Sequence, residues 1–169
     1  EISCKVHKKK PENLIAVTGT NGKSSIADFY YQILKLNKKK SALIGTLGIR
    51  TNSNKIPVQN TTLNPTALCK QLERLKKSNI NNVILEASSH GLKQNRLDGL
   101  NFKTGIFTNL SHDHLDYHKT FKDYLNSKLY LFNKLLKKNS TVITDKTIPE
   151  YKKIKKISLN KQLNLKTIG

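Results

Sequence analysis

The chain is poor in several residue types, and each shortage narrows what the protein can be. Its two cysteines, Cys4 and Cys69, lie far apart in the sequence and form no Cys-x-x-Cys pair. This pattern indicates neither a disulfide framework nor a cysteine zinc site, and it favours reduced thiols in a cytosolic protein. The apolar runs are only a few residues long, far short of the roughly 20 residues that a membrane-spanning helix needs. We therefore expect a soluble protein with no membrane partner.

Acidic residues are also scarce, with 11 Asp and Glu against 31 Lys and Arg and a formal net charge of +20. Such a charge normally favours nucleic acid as a partner, because basic side chains release counterions from phosphates. The lysines are scattered, however, arginine is rare, and no aromatic residues alternate with basic ones. A compositional bias of the coding DNA explains this pattern better. A nucleic-acid-binding module remains an alternative, based on the net charge alone. A basic surface would also attract anionic nucleotides.

Short apolar segments alternate with helical patterns along most of the chain. Strands are predicted at residues 13–17, 41–46, 82–86, 105–108 and 141–144, and helices at residues 24–36, 65–77 and 121–136. Residues 50–60 are predicted as a loop or hairpin, and residues 154–159 as an edge strand. This alternation predicts an α/β fold of the P-loop type, with a mainly parallel sheet and helices on both faces.

The length of 169 residues favours one domain. Residues 1–12 are basic and lack periodicity, so we interpret them as a linker from a further domain on the N-terminal side. Residues 13–169 form the predicted domain, which we expect to be incomplete at its C-terminal end. The fragment alone is expected to be inactive.

A glycine-bracketed lysine and hydroxyl follow the first predicted strand and open the first helix. Glycines allow successive N–H groups to face one anion, the lysine can reach outer phosphates, and the hydroxyl can bind Mg²⁺. The usual spacing has a glycine at position 17, where this chain has Val17, so the match is to a shorter Gly-x-x-Gly-Lys-Ser form. A plain glycine turn is the alternative. The predicted ATP-binding residues are Gly19, Thr20, Asn21, Gly22, Lys23, Ser24 and Ser25.

Glu86 follows the apolar run of the third predicted strand and begins the segment Glu86-Ala87-Ser88-Ser89-His90. Ligands bind at the carboxyl ends of parallel strands, so this carboxylate should lie near the phosphate loop. Mg²⁺ prefers carboxylates, hydroxyls and water, and Glu86 and Ser24 could hold the same ion. The alternative is that Glu86 caps the next helix.

Residues 109–118 contain three of the five histidines and two acids. Zinc is one interpretation of such a cluster, but cysteine is absent here and the neighbouring phosphate loop favours magnesium. A solvated helix start capped by Ser111 or Asp113 is the alternative for any single member.

Lys128 lies on the apolar stripe of the helix predicted at residues 121–136, so its spacing makes it face inward. In a lysine-rich chain the alternative is a side chain that reaches the surface along its apolar stem. An inward lysine can lose its proton, and the neutral amine can react with CO₂ to form a carbamate.

In their order along the chain, these segments resemble the central, ATP-binding domain of the Mur ligases. The resemblance covers residues 13–145 and rests on the segments 18–24, 60–62, 86–96 and 113–118, followed by Lys128. It is strongest to the branch that adds the third amino acid to UDP-N-acetylmuramoyl-L-Ala-D-Glu. The related folylpolyglutamate synthases share the phosphate loop but lack the Ser-Ser-His and Asp-His-Leu-Asp-Tyr-His segments.

The resemblance implies a bacterial, cytoplasmic and monomeric enzyme that forms an amide bond through an acyl-phosphate, with ATP as co-substrate. The incoming amino acid would be meso-diaminopimelate or L-lysine. The implied catalytic residues are Lys23, Glu86, His114 and Lys128. The implied Mg²⁺ ligands are Ser24, Glu86, His114 and Lys128 as its carbamate. The implied substrate-binding residues are Thr61, Thr62, Ser88, Gln94 and Arg96. A non-catalytic nucleotide-binding remnant and another Mur or folylpolyglutamate-type ligase remain alternatives.

Overall fold

The computed structural model describes residues 2–113 and 115–169. The helices are α1 Ile2–Val6, α2 Lys23–Leu36, α3 Pro65–Lys77, α4 Ser89–Lys93, α5 Leu115–His118, α6 Phe121–Tyr130 and α7 Tyr151–Asn160, and a π-helical turn Leu131–Leu135 continues α6. The strands are β1 Asn13–Thr18, β2 Ser41–Gly45, β3 Gly48–Thr51, β4 Lys55–Ile56, β5 Asn82–Glu86, β6 Phe102–Phe107, β7 Leu136–Asp145 and β8 Asn164–Ile168.

The strands form one sheet in the order β4-β3-β2-β5-β1-β6-β7-β8. From β2 to β8 all neighbours are parallel, whereas β3 and β4 add an antiparallel hairpin at one edge. Strand β1 is central, with β5 on one side and β6 on the other. The loops that follow these three strands therefore meet at one edge of the sheet, where α/β proteins bind ligands.

Side chains of β1 alternate between two apolar layers, as the period of a strand requires. Leu14 and Ala16 belong to the larger core, which includes α3, whereas Val17 packs with Ala27 and Tyr31 of α2 on the other face. Helices thus cover both faces of the sheet, and the predicted fold class is confirmed.

The edge strand predicted at residues 154–159 is wrong. These residues lie in α7, where Ile154 and Ser158, one turn apart, are buried. A short apolar run fits a strand or a helix, and the lysines between the apolar positions masked the helical spacing. The edge strand is instead β8, which pairs with β7.

The predicted linker contains a short helix, α1, whose five residues are too few to show a period. Cys4 of this helix is buried in the larger core, and its Sγ lies 2.6 Å from that of Cys69 on α3. The two cysteines that are far apart in the sequence are thus in contact in the fold.

Within the described residues, no helix is both long enough and apolar enough to cross a bilayer.

Candidate active site

A cavity of about 270 Å³ opens at the carboxyl ends of β1 and β5; we call it the first cavity. The turn between β1 and α2 forms one wall, and α6 contributes two side chains from another. The lining residues are Thr20, Asn21, Gly22, Lys23, Ser24, Ser25, Thr46, Thr61, Glu86, Ser88, Ser89, Tyr124 and Lys128. Nearly all of the predicted ATP-binding residues line it, and Gly19 lies directly before them.

The turn is held against the loop that follows β6. Gly19 has φ +142°, and a Cβ at this position would lie 1.9 Å from Thr108 Oγ1, so no other residue fits here. Thr20 N donates to Asn109 O at 2.9 Å, and Asn21 N donates to Asn109 Oδ1 at 2.9 Å. The backbone of the turn is therefore fixed in shape before any ligand enters.

Two lysine ammonium groups converge on the carbonyl of Gly19. Lys23 Nζ donates to this oxygen at 3.1 Å and Lys128 Nζ at 2.6 Å. Burial lowers the pKa of Lys23, against the opposing effects of Glu86 and Asp113. Burial, together with the charge of Lys23, lowers the pKa of Lys128 to about 7. Both amines thus lie beside the turn on the wall of the first cavity, where they can donate to a phosphate chain.

Lys128 is 1% exposed, so its side chain does not reach the surface. Its ammonium group lies 4.3 Å from the ring centroid of Tyr124, one helical turn earlier. An aromatic face attracts a cation but does not hydrate it. A buried amine near pKa 7 is partly neutral at physiological pH, which is the state that nucleophilic chemistry of a lysine requires.

The carboxylate of Glu86 is buried and points at the start of α2. It accepts hydrogen bonds from Ser24 Oγ at 2.9 Å, Thr46 N at 3.0 Å and Thr46 Oγ1 at 3.2 Å. The cap of α4 is Ser88, whose side chain accepts from Gly91 N, so the alternative role of Glu86 as a helix cap is wrong. A hydroxyl and a carboxylate in contact beside this turn form a donor set that fits Mg²⁺.

A second cavity of about 220 Å³ adjoins the first. It is lined by Asn60, Thr61, Thr62, Ser88, His90, Gln94 and Arg96. All five predicted substrate-binding residues are in this set. The Arg96 guanidinium donates to Thr62 O at 2.7 Å and to Gln94 Oε1 at 2.8 Å, which fixes its position at the wall.

The two cavities share a wall. Thr61 and Ser88 line both of them. Thr62 Oγ1 donates to the backbone oxygen of Glu86 at 2.9 Å, and the hydroxyls of Thr46 and Thr61 lie 3.0 Å apart. Groups bound in the two cavities would therefore lie on either side of the same few side chains.

The histidines predicted as one cluster at residues 109–118 have different outcomes. His114 lies outside the described residues, so its predicted catalytic and metal-binding roles stay predictions. His118 is buried behind the site, where its ring stacks near those of His90 and Tyr124. Across residues 2–113 and 115–169, no group of three or more His, Cys, Asp or Glu side chains could hold a metal ion. A zinc centre finds no support in that part of the chain.

Sequence reasoning missed Thr46 and Tyr124 as residues of the site. Thr46 follows β2, so the rule that identified Glu86, a polar residue at the end of a buried strand, could have found it. Tyr124 lies four residues before Lys128 on the same helix face, and its hydroxyl lies 3.0 Å from Thr20 Oγ1. Helical spacing from Lys128 was the available signal.

Residues 17–169 match the family model described as the Mur ligase middle domain. The chain therefore belongs to the Mur ligase family, and it corresponds to the middle domain of these proteins. It is similar to the "UDP-N-acetylmuramoyl-L-alanyl-D-glutamate--2,6-diaminopimelate ligase" of Chelativorans sp. (strain BNC1), with 38% identity over 99% of this chain and 35% of that protein.

Solved structures agree with this assignment. A ligase structure with the same printed name has a TM-score of 0.84 and 33% identity, covering 97% of this chain and 33% of that one. E. coli FolC in complex with DHPP and ADP has a TM-score of 0.73 at 17% identity, covering 98% of this chain and 45% of that one. The FolC likeness shows a common fold alone. The chain spans about a third of the length of the curated relative.

Proposed function

We propose that the protein containing this chain is an ATP-dependent ligase of peptidoglycan precursor synthesis. It transfers the γ-phosphate of ATP to the D-Glu carboxylate of UDP-N-acetylmuramoyl-L-Ala-D-Glu. The amine of an amino acid then attacks the acyl-phosphate, phosphate leaves, and an amide bond forms. The name of the curated relative favours 2,6-diaminopimelate over L-lysine as this amino acid. ATP and the UDP-linked substrate belong to the bacterial cytoplasm, where we infer that the protein acts.

The observation that carries the proposal is the pair of adjoining cavities. The first has a glycine turn that is held by Asn109, with Lys23 beside it, and this arrangement suits a nucleotide phosphate chain. The second has hydroxyl, amide and guanidinium groups, and Arg96 suits a carboxylate through paired hydrogen bonds. A carboxylate is a poor electrophile, and phosphorylation supplies its leaving group, so the protein mainly orients reactants and stabilises negative charge.

We infer that Ser24 and Glu86 hold Mg²⁺ when Mg-ATP binds, because their oxygen atoms already meet beside the turn. Held by these two side chains, Mg²⁺ would supply positive charge against the charge of the phosphates. Lys23 extends from the carbonyls of Gly19 and Thr20 to the outer phosphates. The Lys23 ammonium group thus replaces two neutral carbonyl acceptors with charged phosphate oxygens, and hydrogen bonds to charged acceptors are stronger.

We further propose that Lys128 is carbamylated. Its pKa of about 7 leaves much of the amine neutral at physiological pH, and the neutral amine adds to CO₂ with release of one proton. The product carries a carboxylate, which the Lys23 ammonium beside it would stabilise. Carbamate formation can be followed by ¹³C NMR of protein equilibrated with ¹³C-bicarbonate. The labelled signal should be absent from Lys128→Ala and present in Lys122→Ala, which alters an exposed lysine of the same helix.

The activity is tested with the complete protein that contains this chain. Phosphate release is measured with Mg-ATP, UDP-N-acetylmuramoyl-L-Ala-D-Glu and either diaminopimelate or L-lysine. We expect phosphate release that depends on one of the two amines. In Lys23→Ala the rate should fall by at least about 100-fold, since the positive charge that stabilises the transferred phosphoryl group is lost. Lys122→Ala is the matched control and should leave the rate unchanged.

Turnover by Lys23→Ala at the rate of the unmodified protein would overturn the role of the turn. A folded protein that binds ATP but releases no phosphate with either amine would instead favour the non-catalytic remnant or a ligase of different specificity.

A further inference from the structure

Helix α1 is fastened to α3 by polar contacts at both of its ends. Ser3 Oγ and Thr66 Oγ1 lie 3.1 Å apart near the start of both helices. His7 Nδ1 and Glu73 Oε2 lie 2.9 Å apart near the opposite end. These contacts hold a five-residue helix in one position, although a helix of that length has little stability of its own.

Between these contacts, α1 and α3 each contribute a cysteine. Cys4 Sγ and Cys69 Sγ lie 2.6 Å apart, and the residues are 8% and 1% exposed. Both are free thiols. Two sulfurs in contact on separate packed helices need no approach of the helices to bond, whereas cysteines held far apart cannot be bridged without backbone movement.

We propose that Cys4 and Cys69 form a redox modification site, at which a peroxide links α1 covalently to α3. This inference is independent of the ligase activity. The bond would fix the N-terminal segment to α3, the helix that begins just after Thr61 and Thr62 of the second cavity.

The reaction balances with hydrogen peroxide as the oxidant. The more exposed thiol, Cys4, attacks one peroxide oxygen, the O–O bond breaks, and a sulfenic acid and one water form. The sulfur of Cys69 then attacks the sulfur of this sulfenic acid. The S–O bond breaks, and the hydroxide leaves with the proton of Cys69 as a second water. Two thiols are oxidised and one peroxide is reduced to two waters.

Burial of the two thiols limits the rate at which the bond between Cys4 and Cys69 forms. Burial and the hydrogen bond with Cys4 raise the pKa of Cys69 to about 12, so its thiolate is scarce at neutral pH. Proximity partly compensates, because the two sulfurs need no diffusion to meet. We therefore expect the linkage to form more slowly than oxidation of an exposed cysteine, yet in preference to further oxidation of Cys4.

The test treats the complete protein with hydrogen peroxide, alkylates the remaining thiols in denaturant, and maps the peptides without reduction. We expect a peptide pair joined through Cys4 and Cys69 that separates after dithiothreitol. Hydrogen exchange of the α1 amides should slow in the oxidised protein, because a tethered helix opens less often.

Cys4→Ser and Cys69→Ser are the controls, and each should abolish the linked pair and the slower exchange. The inference would be overturned if both thiols of the treated protein were alkylated after denaturation. It would equally be overturned if Cys4 accumulated as sulfinic acid, or if either cysteine were linked to a different residue. These outcomes do not depend on whether the variants fold, since they are read from the unmodified sequence.

Discussion

Replacing Gly45 with alanine should disable the candidate site while every side chain that faces the first cavity keeps its chemistry. Gly45 ends β2 beside Glu86, and a Cβ at this position would lie 2.1 Å from Glu86 Oε1 and 2.6 Å from its Cγ and Cδ. Ordinary van der Waals contact begins at 3.4 Å, so the carboxylate has to move by about 1 Å or more.

That displacement acts on both activity and stability. It weakens the hydrogen bonds that Glu86 accepts from Ser24 at 2.9 Å and from Thr46 N at 3.0 Å. A misplacement of about 1 Å lowers a rate about 100-fold. Overpacking a buried site costs about 1–3 kcal/mol of folding free energy. We therefore expect kcat to fall about 100-fold, with a smaller loss of stability and a higher Mg²⁺ requirement.

Phosphate release over a series of Mg²⁺ concentrations measures the effect, and thermal unfolding by circular dichroism shows that the variant is folded at the assay temperature. Ser41→Ala is the control, because it changes another buried residue of β2 whose hydroxyl has no hydrogen-bond partner among the described residues. A Gly45→Ala enzyme with the kcat and Mg²⁺ dependence of the unmodified protein would refute the argument that the carboxylate must stay where it is.

Three further changes probe separate parts of the structure. Burial first, and then the Lys23 charge, lowers the pKa of Lys128 from 10.5 to about 7. The unfolded chain therefore binds more protons between these values, and stability should rise with pH across that window by up to about 5 kcal/mol. Urea unfolding in CO₂-free buffer, where Lys128 stays a free amine, measures this rise, and Lys128→Met should lack it. Arg96→Lys should raise KM for the UDP-linked substrate about 10-fold in steady-state kinetics and leave KM for ATP unchanged, because the paired donors are lost. Asn64→Ala removes the side-chain cap of α3, which accepts from Ala67 N at 2.9 Å, and should lower the free energy of unfolding in urea by about 1 kcal/mol.

The parallel sheet could be predicted because each central strand is an apolar run between turn signals. The prediction failed at residues 154–159, where lysines dilute the apolar pattern and a helix stands in place of a strand. Strand β8 carries little apolar signal because it is an edge strand whose residues are mostly exposed. Burial on both faces, which makes a parallel strand easy to recognise, is absent at that edge.

The residues of the candidate site could be predicted where they directly follow a recognisable strand. Glu86 and the turn at Lys23 follow apolar runs, so topology alone brings them together. Lys128 was different, because an inward lysine and one that reaches the surface share the same spacing in a lysine-rich helix. Only the packing around α6 decides between them, and the contact of Cys4 with Cys69 likewise depends on how α1 sits on α3.

Glu86 connects the two cavities through different atoms. Its carboxylate receives the hydroxyl of Ser24 in the first cavity, while its backbone oxygen receives the hydroxyl of Thr62 in the second. Ser88, two residues later, bonds to the same Thr62 hydroxyl through its own backbone N–H at 2.9 Å. The Thr62 hydroxyl therefore joins the strand end that carries Glu86 to the backbone that begins α4. Because this hydroxyl both donates and accepts, Thr62→Val would leave the backbone oxygen of Glu86 and the N–H of Ser88 without this partner.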